Sequence, residues 1–296
     1  MESVGVMTVL FVLGAALGSF ACCQVWRIRT KDKSRWSHCM KCKYRLRWYD
    51  NIPIVSWLAL GGKCRKCRKP IGWMEFLAEI GLGVAFALSF ACWPWRDGLI
   101  NLEFSVCLKY GLFLINLAIW SILLMYDAKW KELPVSLMVA AAIISTLYLS
   151  IDIYMICGMD GEVNWLSVAG ALMVLPGFYY LMYRISKERW IGGGDWILCL
   201  SLAIMLGDFW LAMFTLFMAN IIGSVFSLPL LMKKKDTKEV VPFGPFLILG
   251  FLVVFFLHIT YCKMILSTEK VTFVNFLVDT YVIVLYNHII RHRIGN

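Results

Sequence analysis

Charge is scarce in this chain. Only 16% of its 296 residues are Asp, Glu, Lys or Arg, and it holds 8 prolines and 4 histidines. A chain with 60% apolar residues and a mean hydropathy of +0.73 has too little polar surface to cover a soluble domain. The alternating apolar and polar pattern of a transmembrane β-barrel is missing. Internal repeats and low-complexity linkers are missing too. The start, "MESVGV", lacks the basic residues of a cleavable signal peptide, since the basic residues follow the first apolar run.

What is present is a series of apolar runs of bilayer-spanning length. They predict an all-α polytopic membrane protein with transmembrane helices at 4–26, 76–95, 104–126, 133–152, 163–184, 195–206, 209–232 and 245–264. The run at 195–206 is short, and its start is expected to be unwound or to line a cavity. A further apolar stretch, 271–290, contains Asp279 and is a candidate ninth span. The expected segments are a first helix at 1–26, a soluble insert at 27–75, a membrane core at 76–264 and an extension at 265–296.

The net charge of +10 does not imply nucleic-acid binding, because of where it sits. Of 29 Lys and Arg residues, 14 fall within 27–70, and 25 fall on one side if the chain alternates and 271–290 crosses. The positive-inside rule makes that side the cytoplasm. The same charge suits anionic lipid headgroups.

The insert is too small for a large core and calls for a staple. Cys39-x-x-Cys42 and Cys64-x-x-Cys67 supply one, separated by 21 residues. Two C-x-x-C turns aim four sulfurs at one centre, as in a structural zinc site. Redox dithiols are the rival reading, disfavoured in a reducing cytosol. His38 is an alternative ligand or simply an exposed neighbour of Cys39. The other seven cysteines lie in or beside apolar runs and read as small apolar residues.

Two carboxylates stand at span ends. Asp127 ends a run in "LLMYDAKWKELP", and Asp195 follows Gly192, Gly193 and Gly194 in "IGGGDWIL". Ionisable groups at such positions are costly and mark function. Two carboxylates sharing a partly dry cleft hold one proton between them and can activate water. The plainer alternative pairs Asp127 with Lys129 and makes Asp195 a helix cap. The glycines either loosen the chain before the helix or let a peptide approach the backbone. Asp208 falls on the opposite side by the alternating count.

Together these residues resemble the type IV prepilin peptidases, bifunctional membrane aspartyl proteases and N-methyltransferases. "GSFACCQVWR" at 18–27 is similar to the family's opening segment, and "DNIPIVSWLALGGKC" at 50–64 to its D-N-I-P pattern, which carries Asp50 and Asn51. "DAKWKELP" and "GGGD" resemble the stretches bearing the two catalytic aspartates. "PFGPFL" contributes Pro242, Phe243, Gly244 and Pro245. Glu79 keeps the place of a family glutamate.

There are departures. Val135 stands where an aspartate is frequent, Ile197 where a lysine is frequent, and Gly72, Met74, Glu75 and Phe76 replace Ser, Arg, Tyr and Pro. The resemblance implies cleavage of type IV prepilins or pseudopilins at the cytoplasmic membrane face. It further implies methylation of the new N-terminus by S-adenosyl-L-methionine, with Zn2+ as a structural ion. The alternatives are a cleavage-only protease, a transporter using Asp127 and Asp195 as ion sites, and a zinc-stapled scaffold.

Overall fold

The structure is a computed structural model. It describes residues 2–32, 34, 36–158, 162–187, 192–233 and 242–268. The candidate ninth span lies outside the described residues. Helices account for most of the described residues, and no strand occurs among them. The helices are α1 (Glu2–Thr30), α2 (Val55–Ala59), α3 (Trp73–Cys92), α4 (Arg96–Ile100), α5 (Phe104–Trp130), α6 (Val135–Cys157), α7 (Trp165–Ser186), α8 (Asp195–Leu206), α9 (Phe209–Lys233) and α10 (Gly244–Thr268). Seven of them are long and apolar enough to cross a membrane, namely α1, α3, α5, α6, α7, α9 and α10. The chain is a polytopic membrane protein. In this setting each backbone polar group must be satisfied within its own helix, which is why apolar runs become helices.

The chain divides into two bodies. The first comprises Met1–Ala91 and Leu117–Lys129, the second Cys92–Asn116 and Trp130–Asn296. Within the first, α1 lies close against α3 through two glycines four residues apart. A Cβ on Gly14 would sit 2.6 Å from the Leu82 carbonyl oxygen, and one on Gly18 would sit 2.7 Å from that of Ala78. Small residues at this spacing let two backbones approach in an apolar medium.

The core of the second body is α8. Leu198, Cys199, Leu202 and Ala203 are fully buried, and α6, α7, α9 and α10 all border it. Twelve residues rise only about 18 Å, short of a bilayer core of about 30 Å. The expectation of an unwound start does not hold. Gly194 has helical dihedrals (φ −81°, ψ −27°), and the helix is regular from Asp195. It stops at Gly207, whose φ of +62° gives the left-handed cap that glycine accommodates.

Asp208 then opens α9. Its carboxylate accepts from Leu211 N at 2.9 Å and from the Ser167 hydroxyl at 2.6 Å, tying α7 to α9. Asp208 is therefore a helix cap, consistent with its exclusion from the aspartate pair. Lys109 on α5 is buried and paired with Asp152 on α6, its ammonium 4.2 Å from the Trp95 ring centre. Burial of a lysine in a span requires such a partner.

Candidate active site and metal centre

Asp127 lies one turn before the end of α5 and is 5% exposed; Asp195 is the first residue of α8 and is also 5% exposed. Asp127 belongs to the first body and Asp195 to the second. The Asp195 carboxylate accepts from Gly192 N at 3.1 Å, and its own N–H donates to Gly192 O at 3.2 Å. This reciprocal pair fixes the loop onto the helix start, so the glycines are not a slack hinge. Their requirement is steric. A Cβ on Gly194 would lie 2.9 Å from Leu133 Cβ, and one on Gly193 would lie 3.3 Å from the Tyr183 ring. Leu133 stands six residues after Asp127, in the loop before α6. Leu133 and Gly194 both belong to the second body.

The end of α5 has a second charged feature. Lys129 donates to Glu75 Oε1 on α3 at 2.6 Å, with its ammonium 4.8 Å from the Trp26 ring centre. Where the sequence put Lys129 beside Asp127, its ion pair is made with Glu75. Glu75 is one of the residues that depart from the family pattern, and nothing in the sequence linked it to a lysine 54 positions away. Glu79, one turn on, accepts from Ile54 N at 2.7 Å and so ties the D-N-I-P loop to α3. Asp50 is buried in a short 3-10 turn, Trp48–Asn51. It accepts from Arg65 Nε at 2.7 Å and Arg47 N at 3.2 Å, while Asn51 is exposed.

The four cysteines converge. The sulfurs of Cys39, Cys42, Cys64 and Cys67 all lie within 4.8 Å of one another, with Cys39–Cys67 at 3.9 Å and Cys42–Cys64 at 4.0 Å. A tetrahedron of 2.3 Å metal–sulfur bonds has edges of about 3.8 Å, so this group could hold a metal ion. The two turns are built alike. Cys39 N donates to Tyr44 O and Lys43 N to Cys39 O; Cys64 N donates to Lys69 O and Arg68 N to Cys64 O. Lys43 and Arg68 each have a φ of +57°.

The backbone N–H of Cys67 draws the Cys64 thiol down to about 7; burial opposes it, and Lys66 N–H and the thiols of Cys39 and Cys67 reinforce it. Tyr44's N–H pulls the Cys42 thiol down, but burial and the thiols of Cys39, Cys67 and Cys64 together push it up to about 11. His38 stands outside this group, 3.3 Å from Asp32. Asp32 is held below the usual carboxylate range, first by the Ser34 N–H at 2.8 Å.

The late motif forms the entry to α10. Phe243 N-caps the helix, accepting from Phe246 N at 3.0 Å, and its ring packs 5.4 Å from that of Tyr179 on α7. A Cβ on Gly223 of α9 would meet the Phe243 ring at 3.1 Å. Gly244 and Pro245 are buried in the first turn, where proline costs no hydrogen bond, and Pro242 is partly exposed just before it.

Residues 12–93 match the bacterial peptidase A24 N-terminal domain. Relatives of the chain carry the name prepilin leader peptidase/N-methyltransferase. That of Stutzerimonas stutzeri is 29% identical, covering 71% of this chain and 68% of its own. That of Myxococcus xanthus is 30% identical over 75% and 62%, and that of Pseudomonas putida 25% identical over 83% and 89%.

The chain resembles the prepilin leader peptidases/N-methyltransferases.

No solved structure matches it significantly. The family's N-terminal domain model spans α1, the cysteine turns, the D-N-I-P loop and α3, all within the first body. The relatives' longer matches extend the family resemblance beyond that domain, toward the stretches that bear Asp127 and Asp195.

Proposed function

We propose that this chain is a prepilin leader peptidase in which Asp127 and Asp195 form a catalytic dyad at the cytoplasmic membrane face. One carboxylate takes a proton from water as it attacks the scissile carbonyl. The other donates a proton to the departing amide nitrogen. A tightly coupled pair titrates as a unit, so the two roles belong to the dyad rather than to either residue. Burial of both carboxylates suits this chemistry, since a dry setting lets a proton be shared rather than lost to water. The burial of two carboxylates at helix ends carries the reading. Neither carboxylate stands mid-helix, where coupling ions of transporters usually bind, which disfavours an ion site.

The substrates are type IV prepilins or pseudopilins, each with a basic leader followed by an apolar helix. The names of the relatives support this, and they support methylation of the exposed N-terminus. Bound S-adenosyl-L-methionine would supply the methyl group. The insert's cleft, about 530 Å³, shows no fit to that donor. Among its described residues the Trp36 face is covered by Arg45 at 3.7 Å, and Asp32 is engaged by Ser34 and His38. No residue is therefore assigned to methyl transfer.

At the cysteine centre the four-thiolate set fits Zn2+, which would cross-link the two turns and hold the insert folded.

The test is leader cleavage by purified protein in lipid nanodiscs. Asp127→Asn and Asp195→Asn should each slow it by about 100-fold or more, with metal content unchanged. Cleavage at the parental rate by either variant would remove the dyad.

A further inference from the structure

The D-N-I-P loop presents an apolar surface that catalysis does not use. Val55 and Leu58 of α2 are 58% and 59% exposed and share one face of the helix, three residues apart. Trp73, the first residue of α3, is 67% exposed and meets α2 through the Trp57 ring. Trp57 does not share this face. Its ring stacks on Phe76 at 4.4 Å and leans on Trp73 at 4.6 Å. The loop is held there by strain. Ile54 has a φ of +64°, a region that β-branched residues avoid, and its N–H is locked to Glu79. Gly62, at φ +65°, closes over Trp57, leaving no room for a Cβ within 2.8 Å of the indole.

A soluble surface does not keep such a patch exposed without a partner. The patch continues into the outer stripe of α3. Trp73, Leu77, Val84 and Leu88 follow one helix face and are all exposed, while Leu82, Phe86 and Phe90 are buried on the other. Since α3 spans the membrane, its outer stripe meets lipid. Directly after α2 comes an exposed basic run of Lys63, Arg65, Lys66, Arg68 and Lys69. Tryptophan at the boundary, apolar side chains on one face and cations beside them are the chemistry of a bilayer interface.

We propose that α2 and the head of α3 form a membrane-interface foot. Its apolar face is sunk at the headgroup–acyl boundary, and the basic run lies over anionic headgroups. The occupant is the lipid bilayer, because the patch is continuous with the lipid-facing surface of α3 and its flank is basic. The foot joins the cysteine turns to the bilayer surface through the same loop that Glu79 clamps.

The experiment is photo-cross-linking of the full chain in phosphatidylcholine–phosphatidylglycerol vesicles. p-Benzoylphenylalanine replaces Leu58 in one protein and Lys41, at the exposed tip of the first cysteine turn, in a control. The foot predicts a phospholipid adduct at position 58 and none at 41. Absence of a lipid adduct at 58, or cross-linking there to a pilin helix or to a second copy of the chain, would overturn it. Leu58→Asp gives an independent readout if the bulky probe unfolds the insert. Vesicles should protect the 63–69 run from trypsin relative to detergent, and the variant should lose roughly tenfold or more of that protection. Equal protection in variant and parent would also overturn the foot.

Discussion

A methyl group on Gly194 would press into Leu133 at 2.9 Å, and both partners lie beside the proposed catalytic residues. Gly194→Ala should cost about 1–3 kcal/mol, the usual penalty of overpacking, and slow leader cleavage. Leu133→Ala in the same chain should restore part of the rate. A double-mutant cycle on cleavage checks this, and strict additivity would show that the contact does not matter. The cysteine cluster was legible in the sequence because two C-x-x-C turns at this spacing are rare in an apolar chain. The Glu75–Lys129 pair was not, since two charged residues 54 positions apart look like ordinary loop charges until α3 and α5 are packed. The glycines were half legible. Their backbone economy could be read, but its cause, the Leu133 side chain rather than a flexible turn, needed the fold.

Among the elements, the seven candidate spans and the short α8 match apolar runs within a few residues, because length and hydropathy decide such a helix locally. Packing between them is a different matter. Gly14 and Gly18 form a small-residue seam with α3 whose meaning depends on partners 68 and 60 residues away. Gly18→Val should force α1 off α3, lowering resistance to unfolding by about 1–3 kcal/mol in detergent titrations, whereas Gly5→Val, facing open space, should change nothing measurable.

The cysteine turns offer a second element-scale test. Each neutral thiol must lose its proton to bind metal, so retention weakens as the pH falls. Cys42, pushed up to about 11, releases more of a proton on binding near neutral pH than Cys64, drawn down to about 7. Against a fixed chelator, metal should leave faster at pH 6 than at pH 8, as read by elemental analysis. Faster loss at pH 8 would contradict the thiolate site.

At the scale of the whole molecule, the account joins a metal-stapled insert to a membrane core through one loop. The crossing-length helices were legible from hydropathy, while the division into two bodies was not. α5 contributes to both, and a single uninterrupted apolar run gives no sign of such a split. The central claim is that this chain removes prepilin leaders with Asp127 and Asp195. The intact mass of a pilin precursor co-expressed with the protein tests it most directly. The account predicts a leaderless pilin with the parent chain, and the full precursor mass with Asp127→Asn or Asp195→Asn at equal protein level. A mature pilin in the presence of either variant would contradict it.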